Sequence, residues 1–245
     1  MRNIIKLCFI GLLSLLLLTN CGKESHDANT LIVATSADNP SYEFIDKGQI
    51  SGFDIDLINA IAKKMDKKII IKNLDFPTLF AALSTKNVDL IIAGLSITAE
   101  RKANVGFSDI YNVTKIALLF RKNEANATDL HGKIIGAQLG SSWEQTAKEL
   151  AAKYDVKVHS LANNLMLVEE LKSKAIDAVV LEEAQVLKFT ENNPELDSII
   201  LEEFSSEFAI AFSLDSPLIE QINKALKSLE EDGTLLTLRK KWFPQ

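Results

Sequence analysis

Ala93-Gly94-Leu95-Ser96-Ile97-Thr98-Ala99-Glu100-Arg101 reads as the end of a buried strand running into the start of a helix. Val88 to Ile92 precede it as a nearly continuous apolar run, the pattern of a parallel strand covered on both faces. Gly94 lets the backbone approach whatever lies beyond the carboxyl end of that strand. Thr98 is an N-cap residue, and Ala99-Glu100-Arg101 form the first turn behind it. Free backbone N–H groups, two hydroxyls and one guanidinium therefore converge on a single crevice. That is chemistry for holding a small carboxylate.

Outward from this junction, strands alternate with helices from Thr30 onward, which is the pattern of α/β architecture. Leu31-Ile32-Val33-Ala34 is a first strand. Gly52-Phe53 leads into a helix from about Asp54 to Met65, with an apolar stripe at Leu57, Ile58, Ile61 and Met65. Phe53, Asp54 and Asp56 read as structural, packing and capping that helix rather than touching a ligand. Ile69-Ile70-Ile71 is a second strand, and Thr78 caps a helix carrying Leu79, Phe80 and Leu83. After the strand Ile116 to Phe120 the alternation begins afresh at Ile134 to Gln138. Ser141 with Glu144 makes a capping box for the helix that follows Gly140. Val156 to Val158 is a strand, Asn164 to Lys174 a helix, and Ile176 to Leu181 another strand. Phe208 to Phe212 returns to the first half, and Ser216-Pro217 starts a helix that Gly233 stops. The spacing predicts two α/β lobes with crossings near 116–120 and 208–212. Residues 30–115 with 213–245 form one lobe, and 116–212 form the other with the hinge strands.

The chain has 245 residues, 47% apolar and 24% charged, which fits a globular protein and excludes wholesale disorder. Its first twenty residues read differently. Arg2 and Lys6 precede an apolar run from Leu7 to Leu18 that is too short to span a bilayer comfortably. The run ends in Leu18-Thr19-Asn20-Cys21 and resembles a bacterial lipoprotein signal, in which the cysteine is lipidated. Residues 1–20 are thus a signal peptide, Cys21 carries the lipid, and 21–29 form a polar tether. Cys8 and Cys21 are the only cysteines, so the mature domain has no thiol, disulfide or cysteine metal site. Without Arg2 and Lys6 the chain carries 25 basic against 33 acidic residues. That balance argues against a nucleic-acid partner. No cofactor is expected, and the protein reads as a monomer.

The ordered segments resemble the polar-amino-acid-binding proteins that serve ABC importers, the bacterial extracellular solute-binding proteins of family 3. The segments are Gly52-Phe53-Asp54-Ile55-Asp56-Leu57, Phe76 with Ala82-Leu83, and Gly94 to Arg101. Phe107-Ser108-Asp109-Ile110-Tyr111, Asp129-Leu130-His131-Gly132-Lys133, Gly140-Ser141-Ser142 and Lys241-Trp242-Phe243 follow in the family's order. The resemblance implies a two-lobed periplasmic-binding-protein fold of type II, with two α/β domains on a two-strand hinge. It also implies a ligand in the cleft and a permease in the membrane as partner. By resemblance Arg101 clamps the ligand α-carboxylate. Ser96 contacts carboxylate and ammonium, and the Gly94 carbonyl takes an ammonium proton. Ser142 offers a backbone donor at a helix N-terminus, and Glu182 pairs with the α-ammonium. Ser36, Asn39, Tyr42 and Phe76 line the side-chain pocket from the first lobe, and Gln138 and Leu181 from the second. Relatives selective for basic amino acids often carry an acid where Ser36 stands, and Asp38 is close enough in sequence to substitute. Glutamine-like and arginine-like ligands both remain open. Two rival classes share the fold: a prephenate- or arogenate-dehydratase-like enzyme with Glu182 as proton donor, and a sensory module for a separate receptor.

Overall fold

The computed structural model describes residues 29–122 and 129–243. The leader, Cys21 and all of the tether but Asn29 lie outside the described residues. β1 (Thr30–Thr35) enters a small antiparallel sheet of β2 (Asp38–Asn39), β3 (Glu43–Asp46) and β4 (Gln49–Ser51), which the sequence reading passes over. α1 (Phe53–Lys64) follows, with Leu57, Ile58 and Ile61 buried as their spacing predicts. β5 (Lys68–Asn73) and α2 (Leu79–Ser84) lead to β6 (Leu90–Ile91), α3 (Ala99–Lys102) and β7 (Val105–Phe107). β6 runs parallel to β1, and Ile92 N–H still donates to Ala34 O beyond its last residue. The apolar run is therefore longer than the strand. Gly94, at φ +50°, turns the chain out of the sheet just after the run ends.

β8 (Asn112–Arg121) opens the second lobe, followed by β9 (Ile134–Gln138), α4 (Ser142–Tyr154), β10 (Lys157–Leu161) and α5 (Asn164–Lys172). Then come β11 (Ala178–Glu182), α6 (Glu183–Asn192) and β12 (Leu196–Phe208). β13 (Ala211–Ser213), α7 (Leu218–Glu231) and α8 (Thr234–Trp242) complete the described chain. One five-stranded sheet has the order β5-β1-β6-β13-β7, and the other β10-β9-β11-β8-β12. Each lobe has its own core. Phe53, Leu57, Ile58, Phe208, Ile210 and Phe212 pack in the first, and Leu118, Leu119, Ile135, Leu167, Val179 and Leu181 in the second.

The ribbon between the lobes is formed by the near ends of β8 and β12. Asn112 to Lys115 pair antiparallel with Ser205 to Phe208, and the register shifts between Leu201 and Ser205. Ile116 to Phe120 lie between β11 and β12 in the second sheet. The first crossing therefore falls at 112–115, ahead of the expected 116–120. The polar residues Thr114, Ser205 and Ser206 hide the ribbon from a search for apolar runs. Asp54 and Asp56 also depart from expectation, because neither caps α1. Asp56 Oδ2 instead accepts from Trp242 Nε1 and Lys241 Nζ, both at 2.7 Å, and ties α8 down.

Candidate functional site

α3 begins as expected: Thr98 Oγ1 accepts from Arg101 N–H at 3.1 Å. That cap fixes the turn carrying Arg101. Its Nη1 donates to Ser96 O at 2.8 Å, and Nη2 donates across the cleft to Gly140 O at 3.1 Å. The guanidinium also faces the rings of Phe76 and Phe80, at 5.8 and 5.3 Å from their centroids. Burial lowers its pKa to about 10, so it remains a cation at any physiological pH.

The opposite wall is the turn before α4. Ser141 Oγ accepts from Glu144 N–H, and the Glu144 carboxylate accepts from Gly140 N–H at 2.9 Å. This capping box holds Ser142 at the first helical position, where its N–H group and the helix dipole favour an anion. Ser142 Oγ lies 2.7 Å from Ser96 Oγ, which in turn accepts from Ser206 Oγ in the ribbon. Ser206 is paired with Thr114 across the ribbon, and Thr114 Oγ1 donates to Glu182 Oε2 at 3.1 Å. A continuous polar path therefore joins Arg101, Ser96, Ser142, Ser206, Thr114 and Glu182. Nothing in the sequence singles out Thr114 or Ser206, since each is an ordinary strand residue until the ribbon forms.

Glu182 ends β11 and caps α6 with its own side chain, accepting from the N–H groups of Ala184 and Gln185. Burial nonetheless dominates and raises its pKa to about 8, the hydrogen bonds opposing the shift. Neither Arg101 nor Glu182 forms an ion pair with another described residue. One lobe thus offers a half-buried cation and the other a buried acid.

Gly94 N–H donates to Asp54 Oδ2 at 2.8 Å, and Tyr111 OH donates to the same oxygen at 2.9 Å. Glu43 sits against Asp54, and burial together with that neighbour pushes its carboxyl well up, so Glu43 holds the proton. Asp54 itself is pushed up to about 6 by burial. The pair anchors the Gly94 turn to α1 and to the start of the ribbon. Tyr42 is buried, with its hydroxyl beside Thr114 and Glu182 of the polar path. Its ring packs on Phe53, Phe208 and Phe243, and its hydroxyl accepts from Asn112 Nδ2 at 2.7 Å. Phe76 is buried in the first lobe with one face toward Arg101. Ser36 Oγ donates to Asp38 Oδ1 at 3.3 Å, and Asn39 follows in β2. Gln138 Nε2 donates across the cleft to Asp38 Oδ2 at 2.9 Å. A groove of about 640 Å³ borders Arg101, lined by Phe80, Leu83, Glu100, Asn104, Gly140 and Leu214. It meets the polar path only at Arg101 and Gly140.

A cleft between two α/β lobes, with a half-buried guanidinium on one and a buried carboxyl on the other, defines a hinged solute-binding protein. The chain belongs to the bacterial extracellular solute-binding proteins of family 3, whose model matches residues 31–245. It is 37% identical over 235 residues to the arginine-binding extracellular protein ArtP of Bacillus subtilis, covering 92% of each chain. It is 34% identical to a probable histidine-binding protein of Campylobacter jejuni, over 91% of this chain and 88% of that one. An ancestral arginine-binding protein bound to arginine superposes with a TM-score of 0.83 at 38% identity, covering 89% and 100% of the chains. The structure of an ancestral arginine-binding protein bound to glutamine gives 0.84 at 40% identity, covering 90% and 100%. These relatives are binding proteins. The protein is an extracytoplasmic substrate-binding component of an ABC importer for polar amino acids.

Proposed function

We propose that the amino acid captured is of the arginine class and that the polar path across the cleft holds its zwitterionic end. Arg101 and the Ser142 N–H bind the α-carboxylate, while Glu182, Ser96 and the Gly94 carbonyl bind the α-ammonium. Ser36, Asn39, Phe76 and Gln138 line the side-chain pocket, and Tyr42 supports it from behind. The observation that carries this reading is the half-buried guanidinium of Arg101 and the buried carboxyl of Glu182 on opposite lobes, neither in an ion pair with another described residue. A carboxylate repays the burial of the first and an ammonium that of the second. Both are satisfied together only when the lobes close, so a zwitterion shifts the hinge equilibrium by its differential affinity for the closed form. The arginine class is favoured by relatives described as arginine-binding, at 37% and 38% identity.

The lobes divide at the ribbon, with 30–111 and 209–243 in the first and 116–204 in the second. Cleavage before Cys21 and lipidation there tether a monomeric domain to the membrane beside its permease; a single acyl chain binds marginally, so more than one is required. Arg101 holds its ligand and does not react. The raised Glu182 is the one feature that suits a dehydratase, and incubation with prephenate separates the readings, because an enzyme releases phenylpyruvate. Thermal-shift screening of the twenty amino acids tests the ligand. Arginine at a hundredfold excess over its Kd stabilises the native state by about 2.7 kcal/mol. A screen in which arginine leaves Tm unmoved while another amino acid raises it overturns the assignment.

A further inference from the structure

We propose that Glu43 is a positioning residue for the ligand ammonium group: it shares one proton with Asp54, and the carboxyl pair so formed holds the Gly94 turn whose carbonyl meets that group. The proposal rests on the amino-acid reading above and adds a residue that touches no ligand. Glu43 lies on β3 of the small sheet and Asp54 on α1, and they are 1% and 0% exposed. Their side chains hydrogen-bond to each other, yet two ionised carboxylates have no proton to give. Glu43 Oε2 and Asp54 Oδ1 meet no donor among the described residues. Two buried acceptors turned on each other are satisfied by a single proton placed between them.

A proton, rather than a basic side chain, is what relieves the pair. Neither carboxyl forms an ion pair with another described residue. Arg239 and Lys241 on α8 are engaged elsewhere, by Tyr111 O at 2.8 Å and by Asp56 Oδ2 at 2.7 Å. Burial first, and then the charges of Asp54 and of Asp38 on β2, push the Glu43 carboxyl well up and favour its protonated form. The remaining negative charge falls to Asp54.

That charge is spent on the turn beneath the ligand. Asp54 Oδ2 accepts from Gly94 N–H at 2.8 Å and from Tyr111 OH at 2.9 Å. Hydrogen bonds to an ionised acceptor are roughly twice as strong as neutral ones. Gly94 needs such an anchor, because a glycine restrains its own backbone less than any other residue. The chain beyond it is tied separately: Leu95 O accepts from Ala209 N–H at 3.1 Å, and Ile97 N–H donates to Glu207 O at 3.0 Å. Asn39 completes the support. Its amide hydrogen-bonds Glu43, and its Nδ2 packs so near Gly94 that a Cβ there would lie 2.8 Å away. Gly94 is thus held at its N–H by Asp54 and at its Cα by Asn39, which limits where its carbonyl can turn.

Calorimetric titration with L-arginine tests the assignment on wild type, Glu43→Ala and Glu43→Gln. Glu43→Ala leaves Asp54 without its proton donor and is expected to weaken arginine binding by about tenfold or more. Glu43→Gln offers Asp54 an amide N–H in place of the acid proton, and is expected to restore most of that loss, to within about threefold of wild type. A glutamine variant as weak as the alanine variant, or an alanine variant that binds like wild type, overturns the role. The infrared difference spectrum between wild type and Glu43→Gln, both with arginine bound, is expected to show the carbonyl stretch of a protonated carboxyl in wild type. Absence of that band overturns the shared proton, and the measurement stands even where Glu43→Ala does not fold. A wild type that binds no amino acid overturns the underlying ligand reading instead, while the same difference spectrum without ligand still decides whether Glu43 holds the proton.

Discussion

Arg101 and Glu182 show why residue identity alone misleads. An arginine just inside a helix is usually solvated, and a glutamate at a strand end usually is too. Here the guanidinium is half-buried and the carboxyl fully so, and neither forms an ion pair with another described residue. Truncating Arg101 to alanine would strand a bound carboxylate, at a cost of about 3–5 kcal/mol of binding. Isothermal titration should therefore show arginine affinity falling by two to three decades with little change in Tm. Retained affinity in that variant would remove Arg101 from the site. The Ser141 and Glu144 signal at the other wall is met in substance, although the glutamate reaches Gly140 N–H rather than the N–H of Ser141.

At the scale of elements, the junction before α1 is set by a backbone demand. Gly52 has φ +136°, and a Cβ there would lie 2.0 Å from Tyr42 O. Tyr42 O also accepts from Asp54 N–H at 2.9 Å, so the contact cannot open without releasing the first turn of α1. Gly52→Ala should therefore cost about 1–3 kcal/mol from the dihedral alone, with the clash in addition. Urea denaturation would register it as a lowered midpoint at constant m value, and a midpoint equal to wild type would contradict the account. The same turn positions Asp54 under Gly94, so arginine binding should weaken in the fraction that still folds. Thr98 and Ser141 cap their helices as their local pattern predicts, whereas Thr78 Oγ1 donates to Asp75 O instead of capping α2, and α6, capped by Glu182, is not read from the sequence. The ribbon at 112–115 and 205–208 and the small sheet at 38–51 are not legible there either. Their residues carry no apolar run, and they form strands only because a partner strand is brought to them.

For the whole molecule, pH is the variable that sums these sites. Glu182, Asp38 and Asp54 are all raised by burial, to about 8, 6 and 6. The native state therefore holds more protons than the unfolded chain between roughly pH 4 and pH 8, and its stability falls as pH rises through that window. Below it, exposed pairs such as Asp232 with Lys64, whose carboxyl is held down to about 2, are lost in turn. Calorimetric Tm of the ligand-free domain should peak near pH 4 and decline toward pH 8, and Glu182→Gln should flatten the decline. A profile that rises from pH 5 to pH 8 would show that these acids are not buried in solution. Saturating arginine should recover most of the loss at pH 7.5, since it supplies the missing ammonium and carboxylate partners.

The sequence by itself determined the α/β class, the strand-to-helix turn at 93–101, the α4 start and the family, because each depends on short-range pattern and spacing. It also placed an arginine and an acid on opposite halves of the chain. Which hydroxyls join them, that the Tyr42 hydroxyl reaches Asn112 and Thr114, and that Asp38 meets Asn164 and Gln185 across the cleft follow only from tertiary packing. The Asp38 contacts link residues more than a hundred positions apart. Burial and facing of that kind come from packing two sheets about a hinge, and no local pattern encodes them.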